Sequence, residues 1–178
     1  MLGTAFTTER LLLRPWQKND ADRLYAIASD ERVGLPCGWQ PHQSIEESRQ
    51  IIETILSEEG TYAIVESATN QVVGAFSLRA EGASDLVEDD AHEREVGFWL
   101  GVDSWGKGYI PELVAHVAEH LFTQTPITTL WAGYFEGNDK SKRVQEKCGF
   151  QSVGIREQHY VRPLDKCVTL HITQLKKI

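Results

Sequence analysis

The chain has 178 residues, 41% of them hydrophobic and 25% charged, and a formal net charge of −8. That is enough for one domain, residues 1–178, with a substantial core, and the composition is that of an ordinary globular protein. A negative chain is a poor partner for nucleic-acid phosphate, and no run reaches the ~20 apolar residues of a membrane helix. Cys37, Cys148 and Cys167 are scattered, without pairing or metal-ligand spacing, which argues for a reducing, cytoplasmic setting. Met1-Leu2-Gly3-Thr4 lacks the basic flank and apolar stretch of a signal peptide.

Arg10-Leu11-Leu12-Leu13-Arg14 reads as a strand stopped by Pro15. Asn19-Asp20 then offers an N-cap, with Leu24, Ile27 and Ala28 on one helix face. Ser44 and Glu47 fit a capping box, and Ile51, Ile52, Ile55 and Leu56 form an apolar stripe at helical spacing. Tyr62 to Glu66 and Val72 to Leu78 are two strands of a hairpin turning at Thr69-Asn70. The acidic stretch from Glu81 to Glu93 is a long loop.

Glu95-Val96-Gly97-Phe98-Trp99-Leu100 is the next strand. It leads into Trp105-Gly106-Lys107-Gly108-Tyr109 and at once into an amphipathic helix. Pro111 suits the first turn, Glu112 favours the positive end, and Leu113, Val114, Val117, Ala118, Leu121 and Phe122 share a face. Thr125-Pro126 ends it. Thr129 to Phe135 is a strand. Asn138 or Asp139 caps a short helix that ends at Cys148-Gly149. Phe150 to Ile155 and Val168 to Leu175 close the list. The order βααβββαβαββ implies an α/β (α+β) domain with a mixed, mostly antiparallel central sheet.

Glycines between a strand and a helix let backbone N–H groups converge on an anion, and the helix N-terminus adds a partial positive charge there. This is the physics of a pyrophosphate site, although a Gly-x-Gly turn also serves plain chain reversal. The dinucleotide fingerprint is incomplete, because Pro111 stands where its third glycine would be.

Four motifs occur in order: Glu95 to Leu100; Trp105-Gly106-Lys107-Gly108-Tyr109; Asn138-x-x-Ser141; and Glu146-Lys147-Cys148-Gly149-Phe150. With the opening Thr8-Glu9-Arg10-Leu11-Leu12-Leu13-Arg14-Pro15, nearly the whole chain resembles the GNAT superfamily of acyl-CoA N-acyltransferases. It most resembles the branch of RimJ/RimL-type ribosomal-protein N-terminal acetyltransferases. The resemblance implies a GNAT-like sheet with helices on both faces. It implies acetyl-CoA as co-substrate, an amine acceptor (a peptide N-terminus or a small molecule), no metal, and a second copy of the chain as a candidate partner in a homodimer.

Residue by residue, the resemblance implies a pyrophosphate cradle from Trp105, Gly106, Lys107, Gly108, Tyr109 and Ile110. Ile110 stands where a small residue is usual, and either crowds the phosphate or packs behind the loop. Backbone groups near Trp99 to Val102, Leu100 and Val102 among them, would pair with the pantetheine amides like an added strand. Asn138 would touch the pantetheine arm, or simply cap its helix. Many relatives carry a Tyr acid four residues after Ser141. Here that position is Gln145, so Ser141 becomes the candidate donor to the departing thiolate. Lys140, Lys142 and Arg143 would meet the 3′-phosphate, or form an exposed helix face.

Acyl transfer to an amine requires loss of the amine proton, stabilisation of an oxyanion and departure of the thiolate. Glu93 and Glu95 share a strand face by period-two alternation. Either can take the proton, and Glu95 is nearer the motif; a solvated strand end is the competing reading. Leu35-Pro36-Cys37-Gly38-Trp39 falls where the fold often lines the acceptor cleft, with Trp39 as a wall or a loop anchor. The acidic Asp85, Glu88, Asp89 and Asp90 either attract a cationic acceptor or are solvated surface. His116-Val117-Ala118-Glu119-His120 matches a zinc-protease pattern, but both histidines point away from the helix's apolar stripe and no third ligand follows. A coenzyme A-binding sensor module without turnover is the alternative function.

Overall fold

The computed structural model of the protein describes residues 5–80 and 82–178. The expectations for Met1 to Thr4 and for Glu81 lie outside the described residues. In chain order the elements are β1 (Phe6–Thr7), β2 (Leu11–Arg14), α1 (Ala21–Ala28), α2 (Glu31–Gly34), α3 (Ile45–Thr54), β3 (Thr61–Glu66) and β4 (Gln71–Arg79). There follow β5 (Glu93–Leu100), α4 (Tyr109–Gln124), β6 (Thr129–Phe135), α5 (Asp139–Lys147), β7 (Gln151–Val161) and β8 (Lys166–Lys176). Two short elements escaped the sequence order. β1 has only two residues, and α2 is a single turn whose N-cap Asp30 accepts from the Arg32 N–H at 3.0 Å.

The strands run in the order β1-β2-β3-β4-β5-β6-β8-β7, mostly antiparallel, with β5 and β6 parallel. This is the mixed α/β architecture expected from the order of elements. The chain forms two compact units: residues up to Ser77 with Phe98–Tyr109, and Leu78–Gly97 with Ile110–Ile178.

In the first unit, β1 to β4 form an antiparallel meander. Its hairpin turns at Asn70, whose left-handed φ of 55° an asparagine tolerates. Trp16, Leu24, Ala28, Ile52, Val65 and Val72 make a continuous buried cluster. Ser44 caps α3 by accepting from the Glu47 N–H at 3.0 Å, but Glu47 returns its carboxylate to the Gln43 N–H at 2.6 Å, so the box closes one residue early. Of the stripe on α3, Ile52 is buried while Ile55 is 57% exposed. Asp20 does not cap α1 with its side chain. Its carboxylate is taken by the Arg14 guanidinium at 2.8 Å through both oxygens.

In the second unit, α4 buries Leu113, Val114, Val117 and Leu121 as its periodicity demanded. β7 and β8 are each 11 residues long, well beyond the expected strands. The excess is the far half of a hairpin with polar, exposed side chains and irregular register near Gln158 (φ 54°), where the hydrophobic alternation that marks a strand is missing.

Candidate active site

The glycine turn stands at the end of β5. There the Gly101 N–H donates to the Val73 carbonyl at 2.8 Å, and a side chain at Gly74 would collide with the Trp99 carbonyl. A 3-10 turn, Val102–Ser104, then carries the chain into the loop. The Trp105 N–H donates to the Val102 carbonyl at 3.1 Å, and its indole Nε1 donates to the Leu100 carbonyl at 2.9 Å. In the stretch Trp99 to Val102, the Gly101 N–H and the Leu100 and Val102 carbonyls thus take part in shaping the turn.

Gly106 and Gly108 adopt φ of 74° and 77°, the left-handed region where other residues are strained. A Cβ at Gly106 would meet nothing within 4 Å, so the backbone angle, not space, demands glycine there. Alternating left-handed residues curl successive N–H groups into a concave donor surface, and α4 begins at Tyr109. A turn of this kind can offer its N–H groups to an anion. Ile110 is 4% exposed and packs inside, so it does not crowd the turn. Tyr109 is also buried. Its hydroxyl donates to Glu66, a contact no sequence spacing announced.

In the first unit Trp39 lies over Gly34, edge-on to Trp99 at 5.7 Å between centroids, and beside His42 at 5.4 Å. Burial lowers the His42 pKa, and its Nδ1 is 2.8 Å from the Ser48 hydroxyl. Trp39 is thereby a loop anchor with one half-buried flank. An open pocket of about 90 Å³ is lined by Arg23, Asp30, Arg32 and Asp103 among others. Arg23 is bound to the Val72 carbonyl and Arg32 to Asp30, and the space is too small for a coenzyme.

In the second unit the parallel ladder of β5 and β6 is three pairs long, from Glu93 with Thr129 to Glu95 with Trp131, and both strands continue past it. Glu95 stands at the last pair. Its side chain is 13% exposed, 3.7 Å from the Arg79 guanidinium. Glu93 instead accepts the Glu88 N–H at 3.2 Å, which draws its carboxylate into the preceding loop. Three of that loop's acids have basic partners: Asp85 pairs with Arg156 of β7, Asp89 with His92 at 2.7 Å and Asp90 with Arg94 of β5 at 3.9 Å. Within the loop, Leu86 and Val87 are buried. The solvated-surface reading of the acidic run is the one the geometry favours.

Asn138 caps α5, its Oδ1 accepting from the Ser141 N–H at 3.2 Å. Gln145 is 2% exposed and is the hub of this region. Its Nε2 donates both to the Gly133 carbonyl and to Ser141 Oγ, each at 3.0 Å, while its Oε1 accepts from Thr173 at 2.7 Å. Because Ser141 Oγ accepts from Gln145, its own proton is left to donate elsewhere. Lys142 and Arg143 are exposed on the same helix. Cys148 is half-buried, and burial pushes its thiol up to about 11, so it is not a thiolate at neutral pH. His116 is exposed, with Nδ1 2.9 Å from the Glu112 carbonyl. Among the described residues no group of three or more His, Cys, Asp or Glu is placed to hold a metal ion.

Residues 10–151 match the family model described as "Acetyltransferase (GNAT) domain". The chain is 26% identical over 175 residues to the uncharacterized N-acetyltransferase p20 of Bacillus licheniformis, covering 96% of this chain and 94% of that one. It is also 26% identical over 158 residues to the uncharacterized N-acetyltransferase YoaA of Bacillus subtilis, covering 85% of each. Among solved structures, the acetyltransferase (GNAT family) from Bacillus anthracis superposes with a TM-score of 0.81 at 18% identity, covering 97% of this chain and 98% of that one. The ribosomal-protein-S5-alanine acetyltransferase from Vibrio fischeri reaches 0.70 at 19%, covering 97% of this chain and 96% of that one. The microcin C7 self-immunity acetyltransferase MccE, solved with acetyl-CoA and AMP, reaches 0.75 at 17%, covering 95% of this chain and 93% of that one.

Proposed function

Since the chain belongs to the GNAT acetyltransferase family, we propose that it moves an acetyl group from acetyl-CoA to a primary amine by direct transfer in a ternary complex. The observation that carries the donor side is the turn at Gly106 and Gly108, two left-handed glycines running into the N-terminus of α4. In this reading Trp105, Gly106, Lys107, Gly108 and Tyr109 hold the pyrophosphate. The backbone near Trp99 to Val102, Leu100 and Val102 among it, aligns the pantetheine arm, and Asn138 adds a contact while capping α5. The match to the family model runs through both compact units, which supports one domain over residues 1–178.

Acetyl-CoA supplies a thioester whose carbonyl carbon an amine attacks, forming the amide as the C–S bond breaks. Glu95 takes the amine proton, directly or through water; Glu93 is the weaker candidate because its carboxylate is engaged by the Glu88 N–H. Ser141 donates to the departing thiolate, which the Gln145 bond to its Oγ favours. Direct transfer fits the absence of an activated thiol at Cys148.

The acceptor is a peptide N-terminus or a small-molecule amine, the former in keeping with the ribosomal-protein-S5-alanine acetyltransferase among the solved neighbours. We place the protein in the cytoplasm, in keeping with its unpaired cysteines; no helix among the described residues is long and apolar enough to cross a membrane. A homodimer is proposed through the edge strand β7, where Val153 and Ile155 are 47% and 58% exposed. The alternative, a coenzyme A-binding module without turnover, draws on the Arg79 guanidinium beside Glu95, a partner that can hold the carboxylate as a spectator.

Calorimetric titration with acetyl-CoA, followed by release of free thiol across a panel of amines and N-terminal peptides, tests the reading. Binding with amine-dependent release is expected; binding without release on any acceptor leaves the sensor module. Gly108→Glu, which sets a carboxylate and a strained φ into the turn, abolishes binding, and unchanged affinity would remove the turn from the site.

A further inference from the structure

The loop Trp105 to Tyr109 carries two basic or aromatic side chains that the backbone cradle does not use, Lys107 and Tyr109. Both are gripped from outside the loop, within the first unit. Arg10, at the mouth of β2, donates from Nη1 to the Lys107 carbonyl at 2.9 Å. The same guanidinium lies over the Tyr109 ring, 4.8 Å from its centroid. Its Nη2 is also the nearest atom to the position a Cβ would take on Gly108, at 3.7 Å. From the other side Glu66, at the end of β3, accepts the Tyr109 hydroxyl proton and lies 3.5 Å from Lys107 Nζ. The Lys107 ammonium in turn sits 5.5 Å from the Tyr109 centroid.

We infer that Arg10 and Glu66 are positioning residues that hold the glycine loop in its anion-binding shape and so set the affinity for acetyl-CoA. This inference rests on the acetyl-CoA reading of the loop. The physical case is one of preorganisation. Two residues at left-handed φ give the loop backbone a wide choice of conformations in isolation, and ordering them on binding would cost affinity. A carbonyl pinned by a guanidinium and a ring clamped between Arg10 and Glu66 remove that choice before the ligand arrives. Arginine suits the task because its planar fork can donate to a carbonyl and cover an aromatic face together; an ammonium does one or the other.

Titration of the full chain with acetyl-CoA reads the effect. Arg10→Ala raises Kd about tenfold, the size of one lost charge-assisted hydrogen bond, with little change in the melting temperature of the free protein because Arg10 is exposed. Arg10→Lys recovers only part of the loss. Glu66→Gln separates positioning from plain charge. If the cluster acted only through its net field on the phosphates, deleting a carboxylate would tighten binding; a latch predicts weaker binding. Tighter binding by Glu66→Gln, full recovery by Arg10→Lys, or wild-type affinity in Arg10→Ala would each overturn the inference, as would an affinity loss matched by a collapse in melting temperature. Wild-type protein that takes up no acetyl-CoA would instead remove the acetyl-CoA reading, and this inference with it. Tight wild-type binding alongside an unaffected Arg10→Ala removes the latch alone.

Discussion

Glu95 and Ser141 both take their character from neighbours the sequence did not disclose. Glu95 stands at the last β5–β6 pair beside Arg79, and its role as base makes a clear demand on pH. An amine is mostly protonated near neutral pH, so Glu95→Gln slows transfer most at the acid end of the profile and least where the free amine is abundant; a rate–pH profile parallel to wild type would shift the role to Glu93 or to solvent. Ser141→Ala, which removes only the donor to the thiolate, lowers kcat about tenfold while leaving the KM for acetyl-CoA in place. A rise in KM with kcat unchanged would make Ser141 a binding group instead. Glu66 gives a signed prediction for stability. The Tyr109 hydroxyl, then Thr69 and Lys107, hold its carboxyl below the usual carboxylate range. Its contribution is therefore complete above the ordinary range and is lost as pH falls through the lowered value. Thermal melts between neutral pH and pH ~3 should show an acid limb that is shallower in Glu66→Gln, and identical limbs would remove Glu66 from the balance.

Among the elements, those with strong periodicity or explicit punctuation were readable. α4 has an apolar stripe, a Pro in its first turn and Thr125-Pro126 at its end, and β6 spans Thr129–Phe135 as expected. What was not legible depends on partners distant in sequence. The Asp20 carboxylate was claimed by Arg14 in place of the helix it precedes, and Glu47 reached past Ser44 to Gln43. Gln145 looked like a missing acid and is instead the knot joining α5 to the Gly133 carbonyl and to Thr173. In the loop, the glycines announced the turn, while the grip of Arg10 and Glu66 on it spans 97 residues in one case and needed the fold to be seen. Asn138 tests how far a cap and a ligand contact can coincide. Asn138→Ala should cost about 1 kcal/mol of stability and weaken acetyl-CoA binding, whereas Asn138→Asp keeps the cap and places a negative charge near the donor. Chemical denaturation and titration of both variants decide it: an Asp variant with wild-type stability and wild-type affinity would leave Asn138 a cap alone.

For the molecule as a whole, the division into two compact units cuts through secondary structure. β5 gives Glu93–Gly97 to one unit and Phe98–Leu100 to the other, and α4 gives Tyr109 to one and the remaining residues to the other. A linker between independent domains would be an exposed, weakly bonded segment, but here the chain crosses three times inside secondary structure: in β4 between Ser77 and Leu78, in β5 between Gly97 and Phe98, and after the first residue of a 16-residue helix. Scanning calorimetry should accordingly show one transition with van't Hoff and calorimetric enthalpies in agreement, and saturating acetyl-CoA at ~100 times Kd should raise the whole transition by about 2.7 kcal/mol of stability. Two resolved transitions, or a ligand that moves only one part of the endotherm, would mean that residues 1–178 behave as two folding units and not as the single domain the sequence implies.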